Sequence, residues 1–165
     1  MRLSYDFYKR NVVEVSRDLI GKNLVFGSLQ GIITETEAYR GSDDEASHAY
    51  KGISSRNAMM FGPPGHLYVY MIYGKYYCIN IVTEAAGQAS AVLIRGLMLP
   101  DIHLNGPGKI CRHFGITTKY NGINLISDDN FYLTPGMNIE NIRITNRIGI
   151  NKAIDKPWRF VADLI

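Results

Sequence analysis

The segment "YVYMIYGKYYCIN", Tyr68 to Asn80, constrains the fold more than any other part of the chain. Its aromatic and β-branched residues suit a pleated, half-buried surface, and Tyr73-Gly74-Lys75 supplies a tight turn between two strands. The expectation is a β-hairpin. Side chains two apart on a strand share a face. Tyr68, Tyr70 and Ile72 therefore share one face, and Leu67, Val69, Met71 and Tyr73 the other. Tyr73 falls at the hairpin tip, beside a glycine and a lysine, where its own hairpin cannot bury it. It packs on a partner or on nothing. An aromatic wedge beside a cation is one device by which proteins enter a nucleic-acid stack. For most of the chain's eleven tyrosines, core packing is the plainer reading.

Around this hairpin the pattern is α+β. "NVVEVSRDLIG" reads as a short helix, capped by Asn11 with Glu14 three residues on and closed by Gly21. Lys22 to Phe26 and Ile32 to Ala38 read as strands joined by the turn "GSLQG". Asp43 to Ala49, starting at Ser42, reads as one or two helical turns, and Asn57 to Phe61 as a second short helix before the breaker "GPPG". "ASAVLIRGLML" is a further strand. "NGPGKICRHFGI" reads as a helix with Pro107 in its first turn and Ile110 and Phe114 in register. Phe131 to Val161 contains short strand-like runs. The pattern predicts one domain over residues 1–165, dominated by antiparallel strands.

Composition excludes several classes. The chain has 165 residues, is 46% hydrophobic and has a mean hydropathy of -0.08, which allows a sizeable core. Its apolar runs are too short to span a bilayer, and "MRLSYDFYKR" has no apolar signal core, so a cytoplasmic setting without membrane is expected. Cys78 and Cys111 read as free thiols of a reducing compartment. No His, Cys or carboxylate set has metal-ligand spacing. A net charge of +3 and a pI near 8.8 permit a polyanionic partner without demanding one.

"TETEAYRGSDDEASHAY", Thr34 to Tyr50, begins as a strand and carries Glu35 and Glu37 on the same face, with Tyr39 beyond. Two carboxylates on one strand face are usually just solvated, so these residues alone leave a solvated face and a site both open.

Taken in order, "ETEAY", "DEASH", "MFGPPGHLYVYMIYGKYYCIN", "AVLIRG" and "NGPGKIC" resemble the alkyladenine (3-methyladenine) DNA glycosylase family, from about Asp6 through "KPWRFV". The resemblance implies a curved, mainly antiparallel sheet with flanking short helices and a protruding, DNA-intercalating hairpin. It implies a monofunctional enzyme that flips a damaged purine out of duplex DNA and cuts its N-glycosidic bond, leaving an abasic site. Carried over residue by residue, Glu37 corresponds to the general base and Arg95 to the arginine that helps hold the catalytic water. Tyr39, His48 and Tyr70 correspond to the stacking residues, Tyr73 to the intercalating tyrosine and Asn80 to the purine-discriminating asparagine. The implied partners are duplex DNA and downstream abasic-site enzymes, the implied state a monomer, and no cofactor is implied. The stretch after "NGPGKICRHFGI" is shorter than the family pattern, which points to trimmed DNA-contacting loops.

The chemistry agrees with those residue types. Glycosidic cleavage builds oxocarbenium character on the sugar, and one carboxylate can both activate water and stabilise that charge. Alkylation at N3 or N7 gives the purine a positive charge, so it leaves as a neutral molecule with little acid help. Electron-rich tyrosines suit such a ring by about 0.5–2 kcal/mol. Glu35 reads as structural, solvated, or paired with Arg95 or another cation. Arg95 sits at the sheet rim or is paired inside a site. Asn80 is depleted in strands, which favours a role over a bulge. His48, without the resemblance, reads as satisfying a buried polar group. Arg40, Arg56, Lys75 and Lys109 are candidates for phosphate contacts. A catalytically dead nucleic-acid binding module and a free-nucleoside hydrolase are the rivals from other classes. The intact Glu37 argues against the first and the exposed Tyr73 against the second.

Overall fold

Asn11 starts the first substantial helix by the mechanism expected of it: its Oδ1 accepts from the N–H of Val13 at 2.9 Å and of Glu14 at 3.4 Å. In the computed structural model, which describes residues 1–163, a single turn α1 (Tyr5–Tyr8) precedes this helix, α2 (Val12–Asp18). Then come β1 (Asn23–Phe26), β2 (Leu29–Arg40), β3 (Leu67–Ile72), β4 (Tyr76–Thr83), β5 (Ser90–Met98) and β6 (His103–Asn105). α3 (Pro107–Phe114), β7 (Phe131–Thr134), β8 (Ile142–Thr145) and β9 (Arg159–Ala162) complete the order. The class is α+β, a curled antiparallel sheet with few, short helices.

The sheet runs β3-β4-β5-β2-β1-β7, with β6 on β5, β9 on β2 and β8 on β9. β2 is its long central member. On one edge it pairs with β5; on the other it pairs first with β1 and then, from Glu35 to Glu37, with β9. The expected hairpin of β1 and β2 is present, but its turn is only Gly27-Ser28, because Phe26 pairs with Leu29. The exposed Leu29 and Gln30 carry no burial period, so the sequence hides their place in the ladder.

The residue pattern sorts onto two faces. Leu67, Val69, Ile79, Ile81, Val92, Ile94 and Leu97 join Val12, Val15 and Leu19 of α2 and Ile110 and Phe114 of α3 in the main core. The alternate residues of the same strands, Tyr68, Asn80 and Leu93, point the other way and line a cavity. Of the hairpin faces read from the sequence, Tyr68, Tyr70 and Ile72 line the cavity while Leu67 and Val69 join the core. Tyr73, in the turn beyond β3, reaches the cavity's mouth rather than following Leu67 and Val69.

One expected element is absent. Ser42 to Ala49 forms no α-helix; a single 3-10 turn covers Gly41–Asp43 and irregular turns follow. Asp44 explains it: its carboxylate accepts from the backbone N–H of Arg40 at 3.0 Å and of Ala46 at 3.1 Å, and such local bonds compete with the helical ladder. The short helix near Asn57 is likewise 3-10, Ala58–Phe61.

Candidate active site

Glu37 is fully buried at the middle of the sheet, with 0% of its surface exposed. Tyr39 Oη donates to its Oε1 at 2.8 Å, and the backbone N–H of Ile148 donates to its Oε2 at 2.8 Å. Arg95 Nε lies 3.8 Å from the same Oε2. Burial pushes the Glu37 carboxyl above its ordinary range, against the opposing pull of Ile148, Arg95 and Tyr39. Glu35, on the same face, is paired instead: Arg159 Nε reaches its Oε2 at 2.8 Å and Arg95 Nε at 3.1 Å.

Arg95 owes its position to a bulge. Glu35 pairs with Gly96 and Thr36 with Ile94, so Arg95 is the extra residue between them. It lies within β5 rather than at its end, and it is paired with Glu35 and Glu37 rather than free at the sheet rim. Gly96 permits this close approach: a Cβ there would stand 2.6 Å from Thr34 Oγ1.

In front of Glu37 opens a cavity of about 600 Å³, lined by Tyr39, His48, Tyr70, Asn80, Arg95 and Ile148 among others. That volume is within the range of small-ligand sites. The His48 and Tyr70 rings meet edge to face at 4.3 Å and form one continuous wall. His48 Nδ1 is 3.1 Å from Tyr68 Oη, and Asn80 Nδ2 donates to the Tyr68 carbonyl at 3.2 Å. Burial, and then Arg56, lower the pKa of His48, which favours the neutral ring. Burial raises Tyr68 to about 12 and pushes Tyr39 and Tyr70 up as well, so all three phenols stay protonated. Glu37 itself does not line the cavity; it lies behind Tyr39, Arg95 and Ile148, which do.

The other candidates stand outside the cavity's depth. Tyr73, at the mouth, is 87% exposed on the hairpin tip. Both Tyr73 (φ 52) and Gly74 (φ 68) are left-handed, and Lys75 N–H closes the turn on the Ile72 carbonyl at 3.1 Å. Arg56 donates to the Met71 carbonyl at 2.8 Å, and Lys75 lies over the Tyr76 ring at 5.0 Å, so both sit on the hairpin. Lys109 bonds Asn105 at 2.8 Å at the start of α3, while Arg40 stands 3.7 Å from Asp43 at the end of β2.

Sequence reasoning missed a second layer. Arg147 is buried and grips Asp44 with two bonds, Nη1–Oδ2 at 2.6 Å and Nη2–Oδ1 at 2.9 Å. Ile148 to Lys152, which follow it, form one wall of the cavity. These partners are 103 residues apart, so no local spacing could reveal them. Among the described residues no three His, Cys, Asp or Glu side chains gather as a metal site, and no helix is long and apolar enough to cross a membrane.

An aromatic cavity backed by one buried carboxylate and an arginine has the makings of a hydrolase site for a flat, electron-poor ring. The family model described as Methylpurine-DNA glycosylase (MPG) matches residues 6–103 and 100–164. The chain belongs to this family, and with it to the DNA glycosylases, hydrolases of DNA repair. A protein of Ehrlichia ruminantium named "Putative 3-methyladenine DNA glycosylase" is 47% identical over 165 residues, covering 96% of this chain and 88% of the relative. Proteins of the same name from Ehrlichia chaffeensis (47% identical, 96% and 92% covered) and Rickettsia conorii (48%, 94% and 87%) are similar to the same extent.

Proposed function

We propose that this chain excises alkylated purines from duplex DNA by base flipping, with Glu37 as the general base. The observation that carries the reading is the pairing of an aromatic cavity with a carboxylate that no side chain neutralises at close range: the nearest cation is at 3.8 Å. In this reading the flipped base enters between Tyr39 and the wall formed by His48 and Tyr70, and a neutral His48 adds no repulsion to a cationic ring. Asn80 discriminates among purines by its amide. Arg95 helps hold the attacking water, and Glu37 takes its proton while offsetting charge on the sugar. Because Glu37 is closed off in the free protein, the Tyr39 side chain or the segment at Ile148 yields to admit that water.

Tyr73 fills the gap in the stack. A tyrosine in the left-handed region carries a backbone cost that glycine or asparagine would avoid, so the ring itself supports a role there. Arg40, Arg56, Lys75 and Lys109 contact phosphates. The enzyme acts as a monomer, and abasic-site enzymes take its product.

The test is an abasic-site assay on duplex DNA carrying one methylated purine, run with free nucleoside in parallel. Excision from duplex only is expected; hydrolysis of free nucleoside alone, or binding without cleavage, overturns the reading. Activity is expected to survive a saturating chelator, and rescue of a chelated enzyme by one divalent ion would contradict the Glu37 mechanism. Tyr73→Ala is expected to leave stability within about 0.5 kcal/mol and to weaken excision of well-paired lesions by roughly 1–3 kcal/mol. The loss shrinks on mismatched lesions, where extrusion costs less. A melting point several degrees lower with an unchanged paired-to-mismatched ratio would make Tyr73 a packing residue.

A further inference from the structure

The two hydrogen bonds that hold the Glu37 carboxylate come from elements that meet at one buried side chain. Arg147 bonds Asp44 bidentately, and both side chains have no exposed surface. Its Nη1 also donates to the Ala38 carbonyl at 3.0 Å, and its Nη2 to the Ala153 carbonyl at 3.1 Å. Its guanidinium lies against the ring of Tyr39 at 4.8 Å and of Trp158 at 5.2 Å. Ala38 is the residue between Glu37 and Tyr39, and its N–H is held by the Trp158 carbonyl at 2.9 Å. The residue after Arg147 is Ile148, whose N–H donates to Glu37. One guanidinium thus fixes the peptide beside the base, the ring whose hydroxyl donates to Oε1, and the segment whose amide donates to Oε2.

We propose that Arg147, anchored by Asp44, is a positioning residue for Glu37: it aims both donors at the carboxylate and thereby sets the base's orientation and proton affinity. This rests on the reading of Glu37 as the general base. Arg147 does not bond to Glu37, so it acts through Tyr39 and Ile148. The requirement is geometric. A hydrogen bond to a charged carboxylate weakens steeply with misalignment, and its loss favours the protonated form. The charged and titratable groups facing Glu37 are Tyr39 and Glu35 on β2, Arg95 on β5, Arg159 on β9 and Arg147 with Asp44 in the covering loops. Loosening the Arg147–Asp44 pair leaves Arg95, Arg159 and Glu35 in place. The Glu37 carboxyl then rises further, and the acid limb of excision moves to higher pH.

The experiment is a pH profile of single-turnover excision on duplex DNA carrying one 7-methylguanine, with lesion binding and melting temperature measured in parallel. The proteins are wild type, Arg147→Lys, Asp44→Asn, Ile148→Pro and Leu133→Ala. Arg147→Lys and Asp44→Asn are expected to shift the acid limb up by about one pH unit, the scale of one hydrogen bond to a charge, with binding near wild type. Ile148→Pro removes one donor directly and is expected to reproduce the shift with the ion pair intact. Leu133→Ala, a remote core change in β7, is expected to lower the melting temperature without moving the limb. A folded Arg147→Lys or Asp44→Asn with a wild-type acid limb overturns the proposal. Should neither fold at the assay temperature, an unmoved limb in Ile148→Pro overturns it. Glu37→Gln run alongside separates the two failures: near wild-type excision there removes Glu37 as the base, whatever the other variants show.

Discussion

Glu37 and Asp44 are seven positions apart in the chain, both carboxylates, and both wholly buried at 0% exposure, yet they are held in opposite ways. Asp44 accepts two bonds from the Arg147 guanidinium and two from backbone amides. Burial alone would raise its pKa, but the bonds from Arg147 and the backbone outweigh it and leave it lowered. Glu37 accepts one phenol and one amide, both neutral, with its cation set back; burial wins and its pKa is raised. Burial is therefore not what makes a carboxylate reactive. A charge answered by a cation at bonding distance becomes a structural anchor, whereas one bonded by neutral donors, with its cation set back to 3.8 Å, keeps its appetite for a proton. Glu35 is the intermediate case, half-buried and bound by two arginines.

Activity offers the largest contrast. Glu37→Gln is expected to lower single-turnover excision about 10³-fold or more, since base catalysis and charge stabilisation go together, with lesion binding little changed. Glu35→Gln is expected to cost far less, and the reverse order of the two would break the comparison. Stability gives the next largest. Asp44→Asn strands Arg147 in the interior and is expected to cost about 3–5 kcal/mol, read by denaturant or thermal unfolding. Glu37→Gln is expected to melt no lower than wild type at neutral pH, because it removes a carboxylate that folding charges unfavourably.

The smallest effects are in the pH dependence, and their signs oppose. A raised folded pKa means stability that is present below the unfolded value and lost as pH rises through the folded one. Any melting advantage of Glu37→Gln at pH 7 should therefore fade on acidification. The lowered pKa of Asp44 means stability present above the unfolded value and lost as pH falls through the folded one, so the Asp44→Asn deficit should also shrink, but at lower pH. With Glu37 as the proposed base, excision should fall off on the acid side at a higher pH than an ordinary glutamate would give, because that base must be ionised to accept a proton and burial raises its pKa. An acid limb inside that range would show the carboxylate to be better solvated than its burial implies.

The sequence by itself determined what depends on neighbours in the chain. Asn11 as a cap, Pro107 opening α3, the Tyr73-Gly74 turn, and the division of Tyr68 and Tyr70 from Leu67 and Val69 all follow from spacing and local bonding. The ordered motifs also placed Tyr39, His48, Tyr70, Asn80 and Arg95, which the fold brings to one cavity, and Glu37, which it buries behind Tyr39 and Arg95. Tertiary structure alone decided how those residues are held. The bulge that turns Arg95 inward is a matter of register between β2 and β5, and register has no signature within either strand. The helix expected after Ser42 gave way because the Asp44 carboxylate takes the amides of Arg40 and Ala46 instead of leaving them to a helical ladder, and what fixes that carboxylate further is a partner 103 residues away. The amide of Ile148 donates to Glu37, although no side-chain property of Ile148 announces it, because a backbone donor belongs to every residue and only folding selects which one is used.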